Sequence, residues 1–261
     1  MTKQEILLYS GAIKLFFIDK PKKRGYYRSN GDKIISVTEA LSIINKPILN
    51  EWRLKVMRDR LIEIGQTRQI TNGDIYEASG KSDEIKIEAA NIGKDIHHWI
   101  ESYINFKIKK AKKRPSLPDD EKILNGAMAF LGWEREHRVE WIASEKFIYS
   151  KKHIYAGTLD AIAIVDGLRC VIDFKTGNAI YNEMRYQTAA YQNADEEETG
   201  IKYDGPRWIL RFDKFTAEFE DTEVPVKDYK ADLEAFLAAL TLKKREVTLN
   251  NKQKKEVILP Y

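Results

Sequence analysis

The segment RCVIDFKTG, residues 169–177, places two charged groups in an apolar stretch that is typical of a buried β-strand. Asp173 and Lys175 are two residues apart, and on a strand such residues point to the same face. A carboxylate and an ammonium group in a buried strand cost stability unless they are paired or bind a ligand. The pair is therefore either a structural ion pair or part of a site for a charged ligand.

A second carboxylate is expected beside this pair. The dipeptide Asp166-Gly167 is typical of a hairpin turn between two antiparallel strands. Asp160 lies as far before this turn as Asp173 lies after it, so the two carboxylates would be neighbours. Adjacent carboxylates repel unless a cation lies between them, and Lys175 could assist a nucleophilic water there. The pattern indicates a divalent-metal site, and carboxylate oxygens favour Mg²⁺ or Mn²⁺ over zinc.

Glu145 and His97 could belong to the same site. Glu145 lies in the preceding strand-like segment, either as a solvated charge or as a ligand for a second metal ion or a metal-bound water. His97 lies at the edge of the apolar stripe of a long predicted helix, either as a structural residue or as a metal ligand. Gly93, one turn earlier, would leave space above the imidazole, whereas His98 points to the polar side.

The helix predicted after the Asp173 strand carries YQTAAYQ. Gln187 and Tyr191 in this stretch are four residues apart and share one helical face. Core packing explains Tyr191 readily and explains Gln187 less well. Gln187 is therefore a further candidate for the site.

The composition is that of an ordinary globular protein. The chain has 261 residues, 43% hydrophobic and 32% charged, which allows a sizeable core in one large or two small domains. The single cysteine, Cys170, excludes an internal disulfide and a four-cysteine zinc or iron–sulfur site. No apolar run could cross a bilayer and no secretory signal pattern is present, so we expect a cytoplasmic protein without a membrane partner. The net charge of +4 permits a nucleic-acid partner without requiring one.

Helical and alternating periodicities divide the chain into elements. The predicted helices cover residues 36–44, 47–65, 82–112, 119–137, 181–197 and 227–245, and residues 66–81 are expected to form a loop. The predicted strands cover residues 140–150, 155–165, 168–176, 207–214 and 216–224, after shorter strands within residues 1–35.

This order of elements predicts an α+β, or mixed α/β, fold. We expect one domain over residues 1–261. It would consist of N-terminal strands and helices (1–115), a core (116–200) and C-terminal strands with a helix (201–261).

The pieces GKDIHHWIES, SEKFIYS, AGTLDAIAIVDGLRCVIDFKTG and YQTAAYQ occur in this order over roughly residues 93–192. Together they resemble the PD-(D/E)XK nuclease superfamily and its RecB-like exonuclease branch. With SVTEALSIINKPILNEW upstream, the chain is similar to the mitochondrial genome maintenance exonuclease group and its phage and bacterial relatives. The resemblance implies a restriction-endonuclease-like core, in which helices flank a mixed central sheet, with an N-terminal helical extension. Leu159 stands where the family name has proline, which the RecB-like branch commonly lacks.

The resemblance also implies roles for individual residues. The implied metal ligands are the side chains of His97, Asp160 and Asp173 and the carbonyl oxygen of Phe174. Lys175 would orient the attacking water and offset phosphate charge. The implied metal is Mg²⁺ or Mn²⁺. Some relatives carry a four-cysteine iron–sulfur cluster, which one cysteine cannot bind.

Other residues would support this site or hold the substrate. By the same resemblance, Glu145 would bind metal through water or help to position Lys175. Gln187 and Tyr191 would brace the site and contact DNA. Arg53 and neighbouring aromatic residues could grip the strand or stack on its bases. Three basic clusters, residues 107–115, 150–153 and 243–247, are either solvated faces or phosphate contacts.

The sequence thus predicts a metal-dependent deoxyribonuclease. Members of the resembling group degrade single-stranded DNA from free ends, so we expect an exonuclease in DNA repair or recombination in a bacterial or phage-infected cell. One alternative is a structure-specific or restriction-like endonuclease. Another is a non-catalytic DNA-binding accessory protein of recombination. Cleavage polarity and the preference for DNA or RNA stay open.

Overall fold

The computed structural model describes residues 2–21, 23–213 and 219–257. Within these residues the chain forms two β-sheets and six α-helices. Strands β1 (Thr2–Leu8), β2 (Ile13–Asp19), β3 (Gly25–Arg28) and β4 (Lys33–Ile34) pair in that order in an antiparallel N-terminal sheet. Strands β5 (Val139–Ser150), β6 (Tyr155–Val165), β7 (Leu168–Lys175), β8 (Arg207–Phe212) and β9 (Phe219–Val224) pair in that order in a central sheet.

The central sheet is mixed, because β7 and β8 run parallel and its other neighbouring strands are antiparallel. The helices are α1 (Val37–Leu41), α2 (Pro47–Gly65), α3 (Asn72–Lys107), α4 (Glu121–Glu136), α5 (Asn182–Thr199) and α6 (Tyr229–Val257). This arrangement confirms the predicted α+β, or mixed α/β, fold and is consistent with a restriction-endonuclease-like core. The N-terminal extension contains a sheet as well as helices.

Helices cover both faces of the central sheet, so that each face has its own apolar core. On one face, Ile100 of α3 and Phe130 of α4 pack with Phe174 of β7. On the other face, Ala190 of α5 and Phe236 of α6 pack with residues of β6 and β7. The charged residues of the sheet therefore lie between two apolar layers, where they need specific partners.

The N-terminal sheet is attached to the edge of the central sheet. Leu15 and Tyr26 share a small core with Tyr149 and Ala156. The hydroxyls of Tyr26 and Thr158 lie 2.7 Å apart in a hydrogen bond. The N-terminal sheet thus borders β5 and β6, the strands that carry Glu145 and Asp160.

The predicted start of α3 was wrong. Residues 66–81 were expected to form a loop, but α3 begins at Asn72 and ends at Lys107. Thr71 and Asp74 form a reciprocal capping box, and Arg68 donates two hydrogen bonds of 2.6 Å to Asp74. The apolar periodicity missed these turns because their exposed residues are mostly polar and include glycine.

Other bounds agree more closely with the predictions. Helix α2 begins at Pro47 and ends at Gly65, as predicted from the N-terminal proline and C-terminal glycine. Helix α6 continues through the basic segment to Val257, beyond the predicted end at residue 245. The predicted strand residues 214 and 216–218 lie outside the described residues. In the described part of the chain, no helix has both the length and the apolar character needed to cross a bilayer.

Helix α3 passes very close to the end of β7. A Cβ atom added at Gly93 would lie 2.5 Å from Thr176 Oγ1, a separation that atoms do not tolerate. Gly93 was expected to leave space above His97, and in the structure the side chain of Thr176 lies against Gly93. Gly93 is therefore needed for the approach of α3 to the strand that carries Lys175.

We expect Gly93→Ala to lower the free energy of unfolding by about 1 kcal/mol or more, because the Thr176 side chain must shift away from the added methyl group. Gly80→Ala is the matched control on the same helix, since a Cβ there meets nothing within 4 Å. It should raise the free energy of unfolding by about 0.5–1 kcal/mol. Urea denaturation measures both, and equal gains from the two substitutions would contradict the close approach.

Candidate metal centre

The hairpin of β6 and β7 brings Asp160 and Asp173 together. Asp166 and Gly167 both have positive φ, 52° and 93°, as a tight two-residue turn requires. The regular pairing runs from this turn to Ala161 opposite Ile172, and the two aspartates follow one step further along. Asp160 Oδ2 accepts a hydrogen bond of 2.7 Å from the backbone N–H of Phe174. Asp160 is therefore held against the strand that carries Asp173.

Asp173 is completely buried and is held by two side chains. The ammonium group of Lys175 lies against Asp173 Oδ2 in an ion pair. Gln187 of α5 donates hydrogen bonds to Asp173 Oδ1 at 3.2 Å and to the hydroxyl of Tyr191 at 2.8 Å. Tyr191 is only 3% exposed, so it supports Gln187 from within the core. The four residues form one connected polar group inside an apolar layer.

Glu145 has an unusual backbone conformation in β5. Its φ is +48°, in the left-handed region that residues other than glycine rarely adopt. Its neighbours Ser144 and Lys146 pair with Ala161 and Leu159, which places Glu145 opposite Asp160. Such strain persists where the surrounding structure over-determines the backbone, and it is concentrated at functional sites.

Contacts on both sides of Glu145 hold this conformation in place. The Ser144 hydroxyl donates a hydrogen bond of 3.3 Å to the Asp160 carbonyl oxygen. Lys146 pairs with Asp195 of α5 at 2.5 Å, and Asp195 is fully buried. Sequence reasoning did not identify this pair, although a lysine in an apolar strand and an acidic run on the following helix were the available signals.

His97, Glu145 and Asp160 form a compact group of possible metal ligands. Each offers one ligand atom, and these atoms lie within 4.8 Å of one another. The His97 Nδ1 and Asp160 Oδ2 atoms are 3.9 Å apart. The side chain of His98 is 80% exposed and lies outside this group. Asp173 also lies outside it, on the side of Asp160 where Lys175 and Gln187 hold it.

Burial perturbs the protonation of these groups. It raises the pKa of Glu145 to about 8, with a further contribution from the charge of Asp160. Burial also raises the pKa of Asp160, and it raises that of Asp173 to about 6 despite the charge of Lys175. Negative charge is therefore costly at this point of the sheet, and a cation would relieve the cost.

The nearby bases have protonation states that suit a cation site. Burial and the charge of Lys175 lower the pKa of His97 to about 4, so its imidazole is neutral at pH 7 and can offer a lone pair. Burial lowers the pKa of Lys175, but Asp173 and Asp160 outweigh this effect and the net shift is upward. Lys175 therefore stays positively charged beside the carboxylates.

Phe174 and Arg53, two of the predicted site residues, contact other protein groups in the structure. The backbone of Phe174 bonds to Asp160 through its N–H, and it also makes a hydrogen bond with His97. Arg53 lies on α2, and its guanidinium faces Asp83 of α3 at 3.5 Å. Among the described residues, Arg53 makes no ion pair with the carboxylates of the metal centre.

The chain was compared with known proteins at three levels. No protein family profile matches it. No curated protein matches it either. Among solved structures, it is similar to an alkaline exonuclease from Laribacter hongkongensis, with 12% identity and a TM-score of 0.31 over 65% of this chain and 93% of that chain. At this distance the likeness assigns no function to this chain.

We expect Glu145→Gly to keep or raise the free energy of unfolding, by up to about 1 kcal/mol, because glycine adopts the left-handed backbone conformation of this position without a steric penalty. Glu140→Gly, at an exposed position of the same strand, should lower it by about 0.5–1 kcal/mol. Urea denaturation compares the two variants. Calorimetric titration should show weaker Mn²⁺ binding for Glu145→Gly and unchanged Mn²⁺ binding for Glu140→Gly. A clear loss of stability in Glu145→Gly would contradict the strained backbone.

The metal-free protein should lose stability as the pH rises from about 6.5 to 8.5. Folded Glu145 keeps its proton up to about pH 8, whereas an unfolded glutamate releases it near 4.5, so the folded state binds more protons in this range. His97 has an opposite and smaller effect near pH 6.5, because an unfolded imidazole is still partly protonated there while the folded one, with its pKa lowered to about 4, is neutral. Denaturation in EDTA across this range should show a smaller decline for Glu145→Gln, and equal declines would contradict the raised pKa.

Proposed function

We propose that this protein is a divalent-metal-dependent nuclease that hydrolyses phosphodiester bonds in DNA. The proposal is carried by one observation: His97, Glu145 and Asp160 converge within 4.8 Å, beside the buried ion pair of Asp173 and Lys175. Phosphodiester hydrolysis needs a cation for the charge on the phosphate and a positioned water. This group of side chains supplies places for both.

The donor set fits a hard divalent cation. Two carboxylates and a neutral imidazole offer oxygen and nitrogen ligands, and carboxylate oxygens favour Mg²⁺ or Mn²⁺. Asp173 Oδ2 is buried and accepts no hydrogen bond of ordinary geometry from the described residues, although Lys175 lies against it. His97, Glu145 and Asp160 would hold the cation, with Asp173 next to them. When bound, the cation supplies electrostatic stabilisation of the charge that develops on the phosphate oxygens.

The remaining residues would position the reactants. Lys175 is charged and partly exposed, so it can orient water and offset the negative charge of the phosphate. Gln187 fixes one oxygen of Asp173 and is itself oriented by Tyr191. These contacts keep Asp173 in one orientation while the substrate changes charge, which lowers the reorganisation that the reaction requires.

The finer proposal is an exonuclease that prefers single-stranded DNA with free ends. It is supported by the sequence resemblance over residues 93–192, which fall on α3, α4, β5–β7 and α5. The predicted single domain is supported by the packing of α3 on α4 and of α5 on β8, since these contacts cross the boundaries near residues 115 and 200. The cytoplasmic location and the role in repair or recombination stay predictions.

We expect Asp173→Asn and Lys175→Ala to lower the rate of DNA cleavage by about 100-fold or more, because each removes a charge at the reacting phosphate. His97→Ala should raise the Mn²⁺ concentration required for cleavage. His98, the exposed neighbour of His97, provides the control. His98→Ala should leave the Mn²⁺ concentration required for cleavage unchanged. The assay follows end-labelled single- and double-stranded DNA in Mg²⁺ or Mn²⁺, with the 5′ and 3′ ends blocked in turn.

Closed-circular single-stranded DNA separates the alternatives in the same assay. An exonuclease leaves the circle intact, whereas cleavage of the circle would indicate an endonuclease. DNA binding without metal-dependent cleavage would indicate a non-catalytic accessory protein and overturn the proposal. Full activity in Asp173→Asn would overturn the assignment of catalysis to this site.

A further inference from the structure

A cavity of about 870 Å³ lies between the N-terminal sheet, α1 and the edge of the central sheet. Its lining includes Glu145, so the cavity adjoins the metal centre directly. The N-terminal sheet contributes Phe17, Arg24 and Tyr26 to its wall, and β5 contributes Phe147. Its volume falls within the range of roughly 300–1,000 Å³ that is usual for pockets that bind small organic groups.

Three aromatic rings form a cluster in this wall. The ring centroids of Phe17 and Tyr26 are 5.1 Å apart, and those of Phe17 and Phe147 are 5.9 Å apart. Tyr26 is buried and its hydroxyl bonds to Thr158, so it supports the other two rings. Phe17 and Phe147 are only partly buried although both line the cavity. They present fixed apolar ring surface towards it.

A cation adjoins the same rings. The guanidinium of Arg24 lies 5.9 Å from the centroid of Phe17. Its ion pair with Asp19 is long, at 3.5 Å, and both side chains are more than half exposed. Such a pair contributes little to stability, so a phosphate group can replace the carboxylate. Lys33, also in the wall, is paired more closely with Glu39 at 2.9 Å.

The features of this cavity together match the chemistry of an unpaired nucleotide. They are aromatic rings, a weakly paired guanidinium and an adjoining metal centre. The bases of a duplex are stacked on one another and expose only their edges, whereas an unpaired base offers its face to an aromatic ring. A cavity that adjoins Glu145 is also placed to receive nucleotides that are covalently continuous with the phosphate at the metal centre. An apolar core contact alone would explain the packing of the rings, but it requires neither the cavity nor Arg24.

We propose that this cavity is a base-stacking subsite for unpaired nucleotides next to the scissile phosphate. The base packs on Phe17 and Phe147, and Arg24 contacts a phosphate of the same strand. This proposal rests on the proposed nuclease function and adds a reason for single-strand preference that lies outside the metal-binding residues.

The test compares binding of a fluorescent deoxythymidine oligonucleotide with that of an abasic oligomer of equal length, in EDTA so that no cleavage occurs. The wild-type protein should prefer the oligomer with bases. Phe17→Leu and Phe147→Leu should each lower that preference on the order of tenfold, because a stacked ring is lost. Phe17→Trp should retain it. Arg24→Gln should weaken the binding of both oligomers alike and reduce its dependence on salt.

Phe16→Leu is the matched control, because Phe16 is adjacent on β2, does not line the cavity and packs against Lys3 at 3.9 Å. It should leave the preference unchanged. The subsite is overturned if both cavity variants keep the full preference, or if Phe16→Leu lowers it equally. Because the ratio of two oligomers is measured, a general loss of folded protein does not imitate the effect.

This outcome is separable from that of the cleavage assay. Metal-dependent cleavage with unchanged base preference in the variants would retain the nuclease and reject the subsite. Loss of base preference in a protein that cleaves no DNA would retain the subsite and reject the nuclease.

Discussion

Negative charge in a buried place is the constraint on which this structure depends. Glu145, Asp160 and Asp173 approach one another across the adjacent strands β5, β6 and β7, and burial raises the pKa of all three. Lys175 offsets part of this charge, and its ion pair is with Asp173. What remains is relieved either by protons or by a divalent cation. In the proposed nuclease, protons and metal would therefore compete for the same group, which would link metal binding, protonation and stability.

The rest of the fold keeps these groups in positions that they would not adopt alone. The hairpin of β6 and β7 aligns the two aspartates, and Gly93 lets α3 bring His97 to the same point. Helix α5 binds Lys146 through Asp195, next to the strained Glu145. The N-terminal sheet then closes one side of the site and encloses the adjoining cavity. Each layer of the structure therefore contributes one part of a site that none of them contains by itself.

Local features were predicted well because they depend on a few neighbouring residues. The turn at Asp166-Gly167 and alternation along two strands were enough to place Asp160 beside Asp173. Proline and glycine were enough to bound α2. The first turns of α3 were missed, because an exposed and mostly polar helix start has no apolar period to detect. Its capping box at Thr71 was the signal that could have revealed it.

The sequence by itself therefore determined the fold class, the hairpin and the shared face of Asp173 and Lys175, since turn chemistry and side-chain period act over short distances. Only the tertiary structure decided the left-handed backbone of Glu145, the contact of Thr176 with Gly93, and the cavity between the two sheets. These features depend on contacts between residues far apart in the chain, such as Lys146 with Asp195. Strand and helix periodicity carries no information about such contacts, because it reports which face a residue occupies and not what meets that face.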